Sequence, residues 1–337
     1  MTILFFLHAF GIVALAIILA IFFNGIERKL VARMQARLGP PLVQPFIDIK
    51  KLLMKENIVP DTAVKWVFNL MPMVAFSTAI VLFFYVPFAG QNTLLKGQGD
   101  MILVLYLLML PPLALAIGGF ASGSSFASIG AQRELVLMLS YEFVLATVVF
   151  SLAWLYSIAF PSMQVFSLDY EFRASPWSVV GPIGIAGIII LLVSSLAVMP
   201  AKAGKLPHDM GEAKTEIADG VLVEYSGLNL ALLYITQALR TLGFASFIVF
   251  LFFPFNVEHF FAIDNAYLPV VNFIFFLVKV FAVMFFSAFL ISAVTARFRI
   301  DQAASFYIST VFTLSLSGLL LIITDILIGG SIYAFFD

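Results

Sequence analysis

The run FVLATVVFSLAWLYSIAFPSMQVFS, from Phe143 to Ser167, contains no charged side chain. A helix needs about 20 mostly apolar residues to cross the hydrocarbon core of a bilayer, and this run exceeds that length. It also lacks the strict polar–apolar alternation of a membrane β-strand, which spans the bilayer in about 10 residues. The run therefore predicts a transmembrane helix.

Similar runs recur along the whole chain. Of its residues, 62% are hydrophobic and only 11% are charged, whereas soluble domains average about 25% charged residues. We predict an all-α integral membrane protein of about eight transmembrane helices, forming one polytopic membrane domain over residues 1–337. The predicted spans are about 2–24, 64–90, 101–118, 134–160, 179–200, 226–253, 268–296 and 304–335.

Two spans have features of their own. Pro111 and Pro112 lie inside the third span and predict a kink there. The first span has no basic segment before it and no small-residue cleavage site after it. We therefore expect it to be a retained helix and not a cleaved signal peptide.

Positive charge is distributed unevenly between the loops. The odd-numbered loops hold most of the Lys and Arg residues, whereas the even-numbered loops hold only Lys96 and Arg173. Cytoplasmic loops carry the excess of Lys and Arg in multi-pass proteins. We therefore expect the odd loops to be cytoplasmic and both termini to lie on the outer face.

The composition excludes several kinds of site. The chain has no cysteine, which excludes disulfides, cysteine-ligated iron–sulfur clusters and cysteine-based zinc sites. Its three histidines are far apart in sequence, so we expect no metal or haem centre within this chain. A net charge of −1 gives no general attraction to nucleic acid. Any electron transfer would then take place in other subunits.

The first odd loop, Gly25 to Pro60, mixes charged and bulky apolar residues. One interpretation is a solvated basic loop that follows the positive-inside rule. The other is a docking surface for a partner protein, because arginine pairs with carboxylates through two parallel hydrogen bonds. We expect residues 48–56 to form an amphipathic interfacial helix. The candidate docking residues are Glu27, Arg28, Lys29, Arg33, Gln35, Arg37, Asp48 and Lys51, with Arg133 from the next odd loop.

That next loop reads Gly130-Ala131-Gln132-Arg133-Glu134 and leads into Ser140-Tyr141-Glu142. Glu142 would lie about two turns inside a span, where an ionised carboxylate is costly unless it is paired or solvated. It is either a neutral acid bonded to a neighbouring helix or a proton-relay residue.

The third odd loop contains LPHDMGEAKTEIADGVLVEYSG, residues 206–227. We predict a short helix between Pro207 and Gly220, with Asp209, Glu212 and Glu216 on one face. Capping of the helix N-terminus alone would explain the first two acids. A row of buried carboxyl groups can also exchange protons near neutral pH, because repulsion and burial both favour the protonated form.

Two cations are expected inside spans. Arg240 and Lys279 lie near the middle of the sixth and seventh spans. Both should pair with carboxylates or line a wet cavity, either as structural ion pairs or as part of a relay. Asp325 in the last span is a possible partner.

Together, the three motifs resemble one family. The first, ERKLVARMQARLGPPLVQPFIDIKKLLMKE, is similar to the first cytoplasmic loop of the H subunit of respiratory complex I. It is closer to the equivalent subunit of group 4 energy-converting NiFe hydrogenases. The complex I pattern has a second Gly-Pro-x-Gly, whereas only three residues separate Pro40 from Gln44 here. The form Glu-Ala-Lys-Thr-Glu-Ile at 212–217 also favours the hydrogenase branch.

The resemblance implies a membrane anchor subunit of an ion-translocating oxidoreductase complex in a prokaryotic plasma membrane. Its partners would be peripheral iron–sulfur and hydrogenase-like subunits, which carry the iron–sulfur clusters and the NiFe centre, and antiporter-like membrane subunits. This chain would bind no cofactor and have no redox centre of its own. The relay residues would be Glu142, Asp209, Glu212, Glu216, Glu224, Arg240 and Lys279.

Three alternatives stay open. Within the same superfamily, the chain could serve a quinone-reducing complex I or a ferredoxin-driven sulfur or polysulfide reductase. It could instead be a stand-alone secondary transporter. Lastly, it could be a passive scaffold whose acids never change protonation. The sequence does not distinguish protons from sodium ions as the transported species.

Overall fold

The computed structural model describes residues 2–87, 93–95, 99–159, 175–257 and 267–329. Lys96, Arg173 and the expected final turns of the last span, residues 330–335, lie outside the described residues.

Within those ranges the chain is almost entirely helical. The helices are α1 (Thr2–Met34), α2 (Gln44–Leu53), α3 (Lys65–Tyr85), α4 (Met101–Ala121), α5 (Ser125–Ala159), α6 (Pro176–Val179), α7 (Pro182–Lys202), α8 (Lys214–Ile217), α9 (Gly227–Phe252), α10 (Leu268–Met284), α11 (Leu290–Val294), α12 (Ile300–Ser305) and α13 (Phe312–Gly329). Two single-turn 3₁₀ segments, η1 (Met210–Glu212) and η2 (Gly220–Leu222), flank α8. Two π-helical segments, π1 (Phe285–Phe289) and π2 (Phe306–Val311), interrupt the last two long helices.

Eight of these helical stretches, all within the described ranges, are long and apolar enough to cross a membrane. They confirm the predicted all-α membrane fold and the count of eight. The seventh combines α10, π1 and α11, and the eighth combines α12, π2 and most of α13. The third spanning helix, α4, continues through Pro111 and Pro112, both of which are buried.

Two predicted boundaries are wrong. Helix α1 does not end near residue 24 but continues to Met34, so the start of the expected basic loop is helical. Helix α5 begins at Ser125 and not near residue 134, so the Gly130–Glu134 motif belongs to a helix. Both extensions are more polar than the lipid-facing parts. Hydropathy therefore delimited the apolar part of each helix and not the end of the helix.

Helix α9 forms the centre of the bundle. It is buried almost all round and packs against α1, α3, α4, α7 and α10. The outer helices present many large apolar side chains to their surroundings, among them Phe10 in α1 and Phe150 in α5. Such exposure suits lipid, which solvates apolar side chains as well as a protein core does.

The odd-numbered loops lie together on one face. Lys205 Nζ of the third odd loop lies 3.2 Å from Glu27 Oε2 of α1. The Ile58 amide donates to Ser226 Oγ at 2.8 Å. The Phe298 amide of the last odd loop donates to the Pro207 carbonyl at 3.1 Å. These contacts join loops that are far apart in sequence into a single polar surface.

Candidate functional site

The acidic loop, residues 206–226, does not form the single helix that its sequence predicts. Ala213 is extended between η1 and α8, and Ala218 and Asp219 then adopt left-handed backbone conformations with φ of 50° and 74°. The three acids therefore point in different directions. The predicted shared face of Asp209, Glu212 and Glu216 is wrong, because the loop follows the surfaces beneath it and not its own periodicity.

Asp209 faces the loop between α11 and α12. Arg297 Nε and Nη2 donate to its two carboxylate oxygens at 2.8 and 2.6 Å. A third nitrogen of the same guanidinium reaches Thr215 Oγ1 at 3.2 Å. This two-point geometry attaches the acidic loop to the C-terminal pair of spanning helices.

Glu216 faces α5. Its Oε2 accepts a hydrogen bond from Arg133 Nη1 at 2.6 Å, at a partly exposed position. Arg133 was expected to dock a partner and instead contacts the acidic loop. The loop lies very close to α5 at Gly130. A Cβ there would be only 2.7 Å from the Gly211 carbonyl oxygen. Only glycine permits this approach.

Glu212 points into the bundle. Its Oε2 lies 3.4 Å from Gln237 Nε2 of α9. Burial, and next the nearby charge of Glu134, raise the pKa of Glu212 to about 7, although Arg240 and Lys205 oppose the shift. A carboxyl group in this position changes protonation at small free-energy cost near neutral pH.

A pocket with about 20 Å³ of space, enough for roughly one water molecule, adjoins Glu212. Its polar end is formed by Glu212, Tyr234, Gln237 and Arg240, and its walls are mostly apolar. The other lining residues are Ala75, Pro111, Leu115, Leu222, Leu233 and Thr236. The pocket lies between the acidic loop and helices α3, α4 and α9.

Arg240 pairs with a carboxylate at the inner side of this cavity. Its Nη1 lies 3.6 Å from Glu134 Oε1, and both side chains are buried. Within the described residues its Nε has no hydrogen-bond partner. Arg240 was expected to pair with a carboxylate or to line a wet cavity, and the structure shows the pair with Glu134.

A second buried ion pair lies deeper in α5. Lys202 Nζ, at the end of α7, donates to Glu142 Oε2 at 2.8 Å, and the Lys202 side chain is fully buried. The ammonium also lies 4.8 Å from the centre of the Tyr141 ring. Glu142 thus has a cationic partner, which compensates the cost of an acid inside a membrane helix.

Two expected relay residues do not join this group. Glu224 is half-buried and forms no ion pair within the part of the chain described. Lys279 donates to the carbonyls of Phe253 and Phe255 at 2.9 and 2.8 Å, beyond the C-terminal end of α9. Asp325 does not pair with Lys279 but accepts the Gly181 amide at 2.7 Å.

Comparison with known proteins identifies the family. The family described as NADH dehydrogenase matches residues 7–323. The chain belongs to this family. It is 35% identical over 234 residues to hydrogenase-4 component C of Escherichia coli, covering 69% of this chain and 71% of that protein. It is 29% identical over 296 residues to the H subunit of the NADH-quinone oxidoreductase of Syntrophotalea carbinolica, covering 83% of each.

A solved structure gives the same result for the fold. The chain is similar to one in the membrane-bound sulfane sulfur reductase, an archaeal respiratory membrane complex, with a TM-score of 0.80 and 27% identity. The match covers 94% of this chain and 99% of that chain. The protein is therefore a membrane subunit of a respiratory-type complex.

In this NADH dehydrogenase-family protein, the expected docking residues are placed unequally. Glu27 is buried against Lys205, and Gln35 Nε2 donates to the Ala293 carbonyl at 3.2 Å. Arg28 pairs with Asp48 of α2 at 2.9 Å. These residues hold the loop in place. Others reach the surface: Arg33, Arg37 and Lys51 are exposed and Lys29 is half-buried.

Sequence reasoning missed several polar residues of the site. His208 lies in the acidic loop itself, and Gln237 and Arg297 contact acids of that loop. Lys202 and Lys205 pair with Glu142 and Glu27. Lys202 and Lys205 looked like ordinary basic residues after a span. The signal available for Lys202 was its position directly after an apolar run, which does not reveal burial.

Proposed function

We propose that this subunit couples electron transfer in a docked peripheral arm to ion translocation through the membrane. The observation that carries the proposal is Glu212, a half-buried acid whose pKa is raised to about 7. It lines a pocket that is also lined by Arg240, the partner of Glu134. A group of this kind accepts or releases a proton when the charge above it changes.

The proposed relay begins on the loop face. Asp209 and Glu216 are held there by Arg297 and Arg133. A change of charge in the arm shifts these surface pairs and alters the protonation of Glu212.

From there the change passes inward. Arg240 lines the cavity and pairs with Glu134. The Lys202–Glu142 pair lies beyond Glu134. The first pair is buried and the second is largely buried, and charges in a medium of low dielectric affect one another strongly. Antiporter-like membrane subunits would receive the signal.

The docking surface is proposed to combine exposed charge with exposed apolar side chains. Arg33, Arg37 and Lys51 supply the charge. Leu38, Met54 and their neighbours in the same loop are well exposed. Apolar contacts surrounded by arginine are typical of protein interfaces. We propose that this face is cytoplasmic and that the arm contains the iron–sulfur and hydrogenase-like subunits.

The hydrogenase branch is favoured for the complex as a whole. Hydrogenase-4 component C gives the 35% identity, and the motifs at 39–45 and 212–217 follow the same branch. The proposed reaction is ferredoxin-linked hydrogen evolution, with the NiFe centre in a partner subunit. The likeness to the sulfane sulfur reductase supports a second candidate, reduction of sulfur species by a complex that contains this membrane subunit.

The test uses the purified complex in vesicles, driven by reduced ferredoxin, with hydrogen, sulfide and ion flux measured together. Glu212→Gln and Glu216→Gln should strongly lower ion flux per electron while the complex stays assembled. Glu56→Gln is the matched control, because Glu56 is an exposed acid on the same face. Normal flux in both relay variants would refute the coupling role and leave a passive scaffold.

A separate measurement addresses the transporter alternative. The purified single chain in liposomes should catalyse no ion-driven transport, because the proposal requires the redox arm. Transport by the isolated chain would contradict the subunit role.

A further inference from the structure

His208 is a buried histidine in the acidic loop that the proposed relay does not use. Only 3% of its surface is exposed, and its ring packs against Phe298 with centroids 5.4 Å apart. Its Nε2 lies 2.9 Å from the hydroxyl oxygen of Tyr307. Within the described residues its Nδ1 has no hydrogen-bond partner. Such an atom calls for a water or another polar group.

The charges around His208 leave its ring neutral. Burial lowers the pKa of His208 to about 4, and Asp209 only partly opposes this. Asp209 is itself neutralised by Arg297, and Lys205 faces Glu27. A neutral imidazole has one N–H donor and one bare nitrogen, so it can accept a proton on one side and release one on the other.

Tyr307 continues the polar path from the loop into the membrane. It is fully buried in π2, a segment of the last spanning helix, and its hydroxyl lies 3.0 Å from the Ala197 carbonyl of α7. When the hydroxyl donates to Ala197, His208 must donate its Nε2 proton to Tyr307. Nδ1 is then the bare nitrogen and the entry point for a proton.

Tyr141 comes next. Its ring meets the Tyr307 ring edge to face, with centroids 6.2 Å apart, and its buried hydroxyl has no partner among the described residues. Lys202 lies over the same ring and pairs with Glu142. A water beside the Tyr141 hydroxyl would satisfy that group and bridge the gap from Tyr307.

We propose that His208 and Tyr307 form a second proton route, which leads from the loop face to the Lys202–Glu142 pair. Water delivers a proton to Nδ1, and the Nε2 proton passes to the Tyr307 oxygen. The Tyr307 hydroxyl turns from the Ala197 carbonyl to the water beside Tyr141 and releases its own proton to that water, from which it reaches Glu142. To reset, the imidazole turns away from Tyr307, releases the Nδ1 proton to water of the loop face and takes one up on Nε2, so the reset moves no net proton. No atom is oxidised or reduced.

This route is distinct from the Glu212 cavity. Neither His208 nor Tyr307 lines that cavity, which is enclosed mainly by α3, α4 and α9. Tyr307, in the last span, contacts α7 at Ala197, and His208 packs against Phe298 in the loop between the last two spans. The inference rests on the proposed coupling function but adds an entry for protons that the three acids of the loop do not provide.

Tyr307→Phe and His208→Gln in the assembled complex test the route. Tyr307→Phe removes one hydroxyl, and the His208→Gln amide keeps a hydrogen bond to Tyr307 but cannot pass a proton through. Both should lower ion flux per electron by about tenfold. This is less than the roughly 10²- to 10⁴-fold that a positioned proton-transfer group contributes, because the Glu212 route stays open. Tyr156→Phe is the control, since Tyr156 is buried in the same helix as Tyr141, about 22 Å further along.

The outcomes separate a relay from a positioning role. Loss in both variants, with a larger solvent isotope effect on flux, supports the relay. Full flux in His208→Gln shows that His208 only positions the loop and overturns the proposal. If Glu212→Gln uncouples while Tyr307→Phe does not, the second route fails and the coupling function stands. If none of the variants uncouples, the coupling function itself fails.

Discussion

The Nζ atom of Lys202 lies 2.8 Å from Oε2 of Glu142, and no part of the Lys202 side chain is exposed. The pair joins the C-terminal end of α7 to the middle of α5. Removal of one member of a buried pair leaves the other charge uncompensated, which costs about 3–5 kcal/mol in proteins.

We predict that Lys202→Met lowers the thermal stability of the purified complex and that Lys202→Met with Glu142→Leu restores most of it. The first variant buries an unpaired acid, and the second removes both charges. Thermal unfolding of the four members of the cycle should give a coupling energy of about 0.5–3 kcal/mol. Additive effects of the two substitutions would show that the pair contributes nothing as a pair.

Glu212 should make stability fall with rising pH. Its pKa is raised from an ordinary value of 4.5 to about 7. Between those values the folded state holds a proton that the unfolded state has released. The favourable contribution is therefore complete below about pH 4.5 and is lost as pH rises towards 7.

The measurement is thermal unfolding of the wild type and Glu212→Gln from pH 5 to 8. The stability difference between them should shift against the wild type as pH rises and level off above about pH 7. The comparison with the variant is needed because His208 makes stability rise with pH. Its pKa is lowered to about 4 in the folded state, and its effect extends up to its usual pKa of 6.5. A difference that is constant with pH would contradict the assignment.

The Arg297–Asp209 contact should control the mobility of the acidic loop. Arg297→Ala removes both hydrogen bonds to Asp209 and the one to Thr215. Hydrogen bonds to charged groups contribute about 1.5–3 kcal/mol, so amide exchange at residues 208–217 should rise by about tenfold or more. Arg299→Ala is the control, since Arg299 is an exposed neighbour. Equal exchange in both variants would refute the role of Arg297 as a clamp.

Charge reversal on the exposed side of the first loop should release the peripheral arm. We predict that Arg33→Glu with Lys51→Glu weakens binding of the arm by at least about tenfold, because facing like charges cost several kcal/mol. Arg33→Lys keeps the charge and should keep the arm bound. Co-purification at increasing salt measures the effect. An arm that stays bound to the reversed variant would disprove the docking surface.

Much of the architecture is predictable because lipid imposes a simple rule. An uncharged run such as Phe143 to Ser167 leaves few alternatives to a spanning helix. Boundaries such as Met34 and Ser125 are not predictable in this way. There the helix continues into a polar environment where packing decides.

The site is less predictable, because its contacts join residues far apart in sequence. The acids of the loop were recognised from their type and spacing, but spacing predicted a shared helix face. Asp209, Glu212 and Glu216 instead turn towards Arg297, Gln237 and Arg133. These three partners belong to three different segments of the chain. No local pattern records such long-range pairing.

Lys279 shows how a cation is accommodated near a helix end. Its ammonium donates to the carbonyls of Phe253 and Phe255, just beyond the C-terminus of α9. It also lies 4.8 and 5.2 Å from the ring centres of Phe275 and Phe255. A cation is favoured at this end of a helix because the last carbonyls are unpaired and carry partial negative charge.

Lys279→Met should therefore loosen the segment after α9. Trp177 reports on this segment, because its ring stacks on Phe253 at 6.1 Å. In a background with Trp66 and Trp154 replaced by Phe, its fluorescence should become more accessible to a soluble quencher. The local cost should be about 1.5–3 kcal/mol, the range for hydrogen bonds to charged groups. Lys279→Gln retains an N–H donor and should show a smaller change, whereas equal quenching in all three proteins would mean that Lys279 does not hold the segment.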